Sequence, residues 1–273
     1  METTILAKPE NTKELNALVS LLLEKFNPLQ IYLYAYYEEQ SAYNSIFREA
    51  RQQGEKVFYL LVVTEGTASM ENAIQQYVDA CYKEAKAIIH AHGEETLRLN
   101  LNQCNGYFTA VLNRGVLLYS ADGLLAVQAV QGPNAEKQLL RIKEQWEHRI
   151  HLSKGFLHAA EEAVEHGDDP ISIYLMYQAV EQTCVGLIAV FMGYKTDIRN
   201  LRRLLYVCGC FSKKPLQHFM GSPENEQLLN IMMKSFSEVR YGSDFDLEGR
   251  SPFRFLELAE GFVKLAEGMV GEL

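Results

Sequence analysis

Seven consecutive apolar residues, Val57-Phe58-Tyr59-Leu60-Leu61-Val62-Val63, constrain this chain more than any other feature. A run apolar at every position and too short for an ordinary helix has the pattern of a strand buried on both faces. Such a strand needs neighbours in its sheet and helices covering the sheet. The flanking sequence offers both. Leu15, Leu18, Val19, Leu22, Leu23 and Phe26 recur at helical spacing, which predicts a helix over Thr12 to Phe26, stopped by Asn27-Pro28. Ile31-Tyr32-Leu33-Tyr34-Ala35-Tyr36-Tyr37 is β-branched and aromatic, hence a strand. A polar helix is expected over Glu38 to Gln53, closed by Gly54, and another helix over Met70 to Lys83. Ala87 to Ala91 reads as a strand, Tyr107 to Asn113 as a short helix and Val116 to Tyr119 as a last short strand.

Beyond about Pro133 no strand pattern recurs. Helices are expected over Asn134 to His166, Ile171 to Met192, Ile198 to Val207, Glu224 to Phe236 and Pro252 to Val270. In the first, Leu139, Ile142, Trp146, Ile150, Leu157 and Val164 keep one stripe. The second is apolar almost all round, so it is expected at the centre of a bundle, with Pro170 in its first turn and Gly193 just past its end. Asp197 is the expected cap of the third. Gly123 and Gly132-Pro133 punctuate the junction, which predicts one domain over residues 1–122 and a second over 133–273. The fold class is α+β: a mixed-sheet domain followed by an all-α, up-and-down helical bundle.

Charge narrows the function. With 26 Lys and Arg against 35 Asp and Glu, the net charge is −9, unsuited to general binding of DNA or anionic membrane. Met1-Glu2-Thr3-Thr4-Ile5 lacks the basic and apolar regions of a secretory signal. The longest apolar-rich uncharged run, Gln182 to Tyr194, is shorter than the roughly 20 residues a bilayer span needs. A cytoplasmic protein without membrane contact is expected. Cys81, Cys104, Cys184, Cys208 and Cys210 are odd in number and contain no CxxC, which argues for buried thiols over a disulfide framework or a zinc site.

One local signal runs against the acidic background. Between positions 195 and 214, Lys195, Arg199, Arg202, Arg203, Lys213 and Lys214 face a single carboxylate, Asp197. Arg199, Arg202 and Arg203 have the i, i+3, i+4 spacing of one helix face, and three guanidiniums on a face suit phosphate. The alternative is a solvated face paired with acids such as Glu181 or Glu224. Glu144, His148, His151, His158 and Glu162 form a second polar stripe, either a solvated face or a metal site. Arg240-Tyr241 and the acidic Asp244, Asp246 and Glu248 are expected on the loop before the last helix; Arg240 either binds an anion or pairs with Glu181 inside the bundle.

The helical half resembles the HEPN family. The resemblance rests on Gln178-Ala179-Val180-Glu181, Gly193-Tyr194, Asn200-Leu201-Arg202-Arg203-Leu204-Leu205 and Arg240-Tyr241, in the family's order. It implies a helical bundle that dimerises. Many members are ribonucleases using an Arg followed by a His at short spacing, but no His follows Arg240, and Arg199 stands where the family often has His. Arg141 and His148 have the ribonuclease spacing on the wrong helix.

The first half resembles a minimal nucleotidyltransferase domain, a frequent neighbour of HEPN domains. Ile31 to Tyr37 and Val57 to Val63 stand where that family has its Gly-Ser and Asp-x-Asp strands, and Gly106 to Tyr119 looks like its closing segment. The resemblance places Ala35 and Tyr36 at the Gly-Ser, and Val57 and Tyr59 at the two aspartates that hold Mg²⁺. A bulky turn and no carboxylates imply a pseudoenzyme; the alternative is an unrelated α/β domain whose aromatic strand is core. No catalytic residue, cofactor or metal is expected. The expected activity is recognition of a nucleotide, RNA phosphate or other phosphate-bearing ligand by Lys195, Arg199, Arg202, Arg203, Arg240 and Tyr241, in a homodimer. The competing expectations are a ribonuclease or nucleotidyltransferase with displaced residues, and a protein-interaction module such as an antitoxin-like regulator.

Overall fold

The computed structural model of the chain describes residues 6–7, 9, 12–38, 41–42, 52–53, 55–67, 69–122, 132, 134–242 and 245–273. The chain divides into two compact units, Met1–Asn134 and Ala135–Leu273, and its architecture is α+β.

The first unit is built from α1 (Lys13–Phe26), β1 (Gln30–Glu38), β2 (Ser41–Ala42), β3 (Gln52–Gln53), β4 (Lys56–Thr64), α2 (Glu71–Cys81), β5 (Lys86–Gly93), α3 (Glu94–Asn102), α4 (Gly106–Arg114) and β6 (Val116–Ser120). Four strands form a mixed sheet in the order β5-β4-β1-β6. The apolar run is β4, an interior strand, antiparallel to β1 and parallel to β5. All seven of its apolar residues are buried. On one face, Leu15, Leu18 and Leu22 of α1 and Ile74 and Val78 of α2 pack on Leu33, Leu60, Val62 and Ile89. The other face carries Tyr34, Tyr59 and His90 against Tyr107 of α4.

Two departures from the sequence pattern have clear causes. The helix expected over Glu38 to Gln53 is strand wherever it is described: β1 runs through Glu38, and 41–42 pairs with 52–53. Residues 39–40, 43–51 and 54 lie outside the described residues. Antiparallel neighbours such as β1 and β4 can continue as a hairpin, whereas the parallel pair β4–β5 requires the crossover that α2 provides. The second departure is α3, an additional helix. Leu97, Leu99 and Leu101 alternate like a strand; in the helix Leu97 is buried, Leu101 half-buried and Leu99 exposed.

The edge of β5 is covered from α2. Gln75 donates its amide to the Ala87 carbonyl at 2.9 Å and accepts from the Ile89 N–H at 2.9 Å, while Glu71 accepts from the Ala91 N–H at 3.2 Å. These buried side chains satisfy ladder groups that would otherwise template another strand.

The second unit comprises α5 (Ala135–Glu165), α6 (Asp169–Met192), α7 (Leu201–Cys208), α8 (Lys214–Met220), α9 (Pro223–Tyr241) and α10 (Pro252–Gly271). As its all-round apolarity predicts, α6 is the central helix, with 15 buried residues among its 24. By length and composition α6 would also span a bilayer, but 67% of its most apolar window is buried inside the unit, the mark of a core helix. Gly193 ends it at φ 64°, a left-handed position that favours glycine. The turn between α5 and α6 uses Gly167 at φ 78°. Gly186 lets the two helices approach: a Cβ there would lie 3.1 Å from the Trp146 ring. The α5 stripe is buried at Leu157 and Val164, half-buried at Trp146 and Ile150, and exposed at Leu139, which is 68% accessible.

The helices depart from expectation in three places. α9, expected to end at Phe236, runs on through Tyr241, so Arg240-Tyr241 close a helix rather than lie on a loop. α7 starts at Asn200, whose side chain accepts the Arg203 N–H at 2.9 Å; Asp197 is not its cap. The short helix α8 has no counterpart among the expected elements. It begins on Lys214-Pro215 and buries Leu216 and Phe219 against α10.

Candidate functional site

The expected anion-binding residues fall on two elements of the second unit: the segment 193–200 with α7, and the end of α9. Tyr177 and Glu181 lie one turn apart on α6. The Tyr177 hydroxyl donates to the Arg199 carbonyl and so pins the segment entering α7. The Tyr177 ring packs 5.1 Å from Phe236 on α9, and Arg240 lies 5.2 Å from the Phe236 ring. Arg240 also donates to the Tyr241 hydroxyl at 2.9 Å, with its guanidinium 5.0 Å from that ring. Tyr241 is 79% exposed. The backbone of Arg199 and the guanidinium of Arg240 are therefore linked through two aromatic rings, and both arginines are exposed. Among the described residues no carboxylate bonds to either guanidinium.

Glu181 lies beneath this surface. It is 5% exposed, and among the described residues one of its carboxylate oxygens has no hydrogen-bond partner. Burial pushes its carboxyl above the ordinary 4.5, while Arg199 and then Arg149 pull it back. The unfolded chain therefore releases this proton first, so the stability Glu181 contributes declines as pH rises from about 4.5 through the folded value. Glu181→Gln should remove that decline. Urea unfolding at pH 4.5 and 7.5 should show the variant gaining on the native protein at the higher pH; an equal difference at both would contradict the assignment.

The remaining basic residues behave differently. Arg199 precedes the cap of α7, so Arg199, Arg202 and Arg203 do not share a helix face; Arg202 and Arg203 are adjacent on the helix and about 100° apart. Arg202 is engaged by Glu226 at 3.0 Å, Asn230 at 2.8 Å and the Met220 sulfur at 3.1 Å. Arg203 is half-buried and Lys195 exposed. The alternative pair of Arg240 with Glu181 is not formed; the charges that act on Glu181 belong to Arg199 and Arg149. Glu224 pairs with Arg254 at 2.9 Å rather than with the basic run. Glu248 is held by Lys234 at 2.8 Å, whose hydrogen bond lowers its carboxyl, and Asp246 is exposed. Asp244 lies outside the described residues.

The polar stripe of α5, Glu144, His148, His151, His158 and Glu162, is exposed throughout, as is Arg141. Among the described residues no three His, Cys, Asp or Glu side chains converge as metal ligands. All five cysteines are free; burial raises the thiols of Cys208 and Cys210, which suits packing rather than nucleophilic chemistry.

In the first unit, Ala35 stands directly opposite Tyr59, Tyr36 opposite Phe58 and Tyr37 opposite Val57. Val57 and Tyr59 are fully buried, and Tyr36 packs against the core beneath α1 and α2. An irregularity between Leu33 and Ala35 inserts one residue in β1. It turns Tyr34 toward Tyr59, His90 and Tyr107. The His90 Nδ1 lies 2.7 Å from the Tyr107 hydroxyl and 3.2 Å from that of Tyr34. This aromatic–histidine cluster is not evident from the sequence; its one signal is a lone His inside the apolar run Ala87 to Ala91. Tyr177 and Glu181 had a plainer signal, polar side chains one turn apart on an otherwise apolar helix.

Residues 146–270 match the HEPN domain family, a match that covers somewhat under half of the chain. A comparison with curated proteins finds no match.

Proposed function

From a chain whose residues 146–270 match the HEPN domain, we propose a non-catalytic, cytoplasmic regulatory protein that recognises a nucleotide or another phosphate-bearing ligand through its helical unit. The observation that carries this reading is that the Arg199 backbone, held at its carbonyl by Tyr177, and the Arg240 guanidinium, over the Phe236 ring, flank the Tyr177–Phe236 ring pair, with both arginine side chains exposed. Phosphate accepts forked hydrogen bonds from arginine, and exposed Tyr241 offers a ring for a base. Lys195 and Arg203 add positive charge on the same segment; Arg202, tied to Glu226, organises α7 against α9.

The reading extends to the first unit as a nucleotidyltransferase-like scaffold that has lost its chemistry. Its support is that Ala35 stands opposite Tyr59 across β1 and β4, with Tyr36 opposite Phe58 and Val57 opposite Tyr37, at positions where the family resemblance expects a Gly-Ser turn and two metal-binding aspartates. Apolar and aromatic side chains there cannot hold Mg²⁺. The unit then acts as a scaffold, and the resemblance of the second unit suggests a homodimer.

The test is a thermal-shift and calorimetric series on the full chain with ATP, ADP, AMP and a short RNA, each with and without Mg²⁺. A ligand that binds only the folded state raises Tm by mass action. A Mg²⁺-independent shift is expected. Arg199→Ala/Arg240→Ala should weaken binding by roughly 10- to 100-fold, the scale of one or two charge-assisted hydrogen bonds. Unchanged affinity would remove the site. RNA cleavage that disappears in Arg141→Ala/His148→Ala would replace this reading by a ribonuclease.

A further inference from the structure

Glu181 is a carboxylate where a carboxylate is costly. It sits on α6, the central helix of the second unit, and is 5% exposed. Among the described residues its Oε2 has no hydrogen-bond partner. A buried charge without partners loses its hydration and lowers stability. Packing alone would be served better by an apolar side chain, such as those of Ile173, Met176, Val180 and Ile188, all fully buried on the same helix.

What the carboxylate has instead is position. Tyr177 stands one turn before it, and the Tyr177 hydroxyl holds the Arg199 carbonyl, which fixes the segment entering α7 against this stretch of α6. The charge that acts most strongly on Glu181 is that of Arg199. Arg149 of α5 acts second, and its guanidinium is already engaged with Gln182. Tyr177 is the titratable neighbour on α6; burial, and then the Glu181 charge, push its hydroxyl up, so it stays neutral. Among the described residues no charge of α7, α9 or α10, the other helices packed on α6, acts on this carboxyl. There Arg202 is held by Glu226, Arg240 lies over Phe236, and Arg254 is shared by Glu224 and Glu257. Glu181 and Arg199 thus face each other across the surface of the bundle, the acid inside and the base in water. A phosphate group arriving from solvent competes with Glu181 for the same guanidinium.

We propose that Glu181 regulates the anion surface at Arg199 as a proton-linked counterion: ionised, it holds part of the Arg199 charge to the protein, and protonated, it releases that charge to a phosphate-bearing ligand. The inference rests on the reading of that surface as an anion site. The linkage is reciprocal, so a bound anion makes the carboxyl harder to ionise, and binding takes up a proton. Affinity is highest below the pH at which Glu181 ionises and falls as pH rises through that value. Burial sets the value above the ordinary 4.5, which moves the fall toward neutral pH.

Sulfate keeps both its charges between pH 5 and 8, so it reports the titration of the protein alone. Isothermal titration of the full chain with sulfate at pH 5, 6.5 and 8 compares the native protein with Glu181→Gln. The two should bind equally at pH 5. At pH 8 the variant should bind about three- to tenfold more tightly, the scale of one unit charge acting across a partly buried distance. The difference between the two proteins cancels every other titrating group. In an Arg199→Ala background, Glu181→Gln should bring no such gain. Glu181→Leu serves if the glutamine variant unfolds. Parallel pH profiles in the two proteins, or an equal gain when Arg199 is replaced by alanine, would overturn this inference and leave the anion site standing. No sulfate binding by either protein at any of these pH values would remove the anion site itself, and this inference with it.

Discussion

Tyr59→Asp should unfold the first unit or cost it more than about 4 kcal/mol, the range reserved for buried, unpartnered charge. Tyr59 is fully buried on an interior strand, with Ala35 opposite and Tyr34 6.1 Å away, centroid to centroid. A carboxylate there would lose its hydration among aromatic rings. Val57→Asp should behave alike, since Val57 is equally buried on the same face. Leu99→Asp is the control: Leu99 is 62% exposed on α3, so a charge there stays in water, and a change within about 1 kcal/mol is expected. Urea unfolding followed by circular dichroism measures all three. The experiment also bears on function. If Tyr59→Asp were tolerated, this face of the sheet would be a hydrated site rather than core, and the scaffold reading proposed above would fail. If it unfolds the unit, the face is core, as that reading requires.

Gly93→Ala should destabilise the same unit by roughly 2–4 kcal/mol, since overpacking against backbone offers little room to relax. Gly93 closes β5 and leads directly into α3. A Cβ there would sit 2.0 Å from the Gly66 carbonyl oxygen and 2.7 Å from its carbon. The turn holding Gly66, at φ 78°, also accepts the Glu95 N–H at 3.4 Å, so it cannot retreat without losing that contact. The backbone of Gly93 itself is ordinary extended chain at φ −66°, which leaves close approach as the whole requirement. Gly155→Ala makes the contrast. Gly155 lies exposed within α5 with no atom near its missing Cβ, so alanine should raise stability by about 0.5–1 kcal/mol through helix propensity. Comparing the two melting temperatures separates steric need for glycine from incidental glycine.

The sequence was most informative where a local pattern had one physical solution. An apolar run of seven had to be a covered strand, and it is β4. A helix apolar on nearly every side had to be central, and it is α6. Gly193 and Pro170 marked the ends of α6 because left-handed backbone and a missing N–H have few other uses. Local reading failed where two nearby residues could serve equally. Asp197 and Asn200 are both good caps; Asn200 takes the role, and the carbonyl just before it is held by Tyr177 from another helix. The polar stretch after β1 looked helical, but its described parts follow the antiparallel pairing of β1 and β4.

The candidate site divides along the same line. Arg240 and Tyr241 read as part of a loop in the sequence, whereas they close α9, and the contact of the guanidinium with the Tyr241 ring became visible only in the structure. The connection of the Arg199 backbone with Arg240 was likewise hidden, because it runs through Tyr177 and Phe236, which meet only after α6 and α9 pack. The partner of Arg202 was equally hidden: Glu226 and Asn230 claim it from α9, and a cluster of positive residues in sequence became a smaller set of exposed guanidiniums in space. Composition, periodicity and turn chemistry are properties of neighbours along the chain, and they specified which segments become strands and helices and which of those lie inside. Pairing of charges and filling of the aromatic face beside Tyr59 depend on residues far apart in sequence, and these were set by packing within each unit.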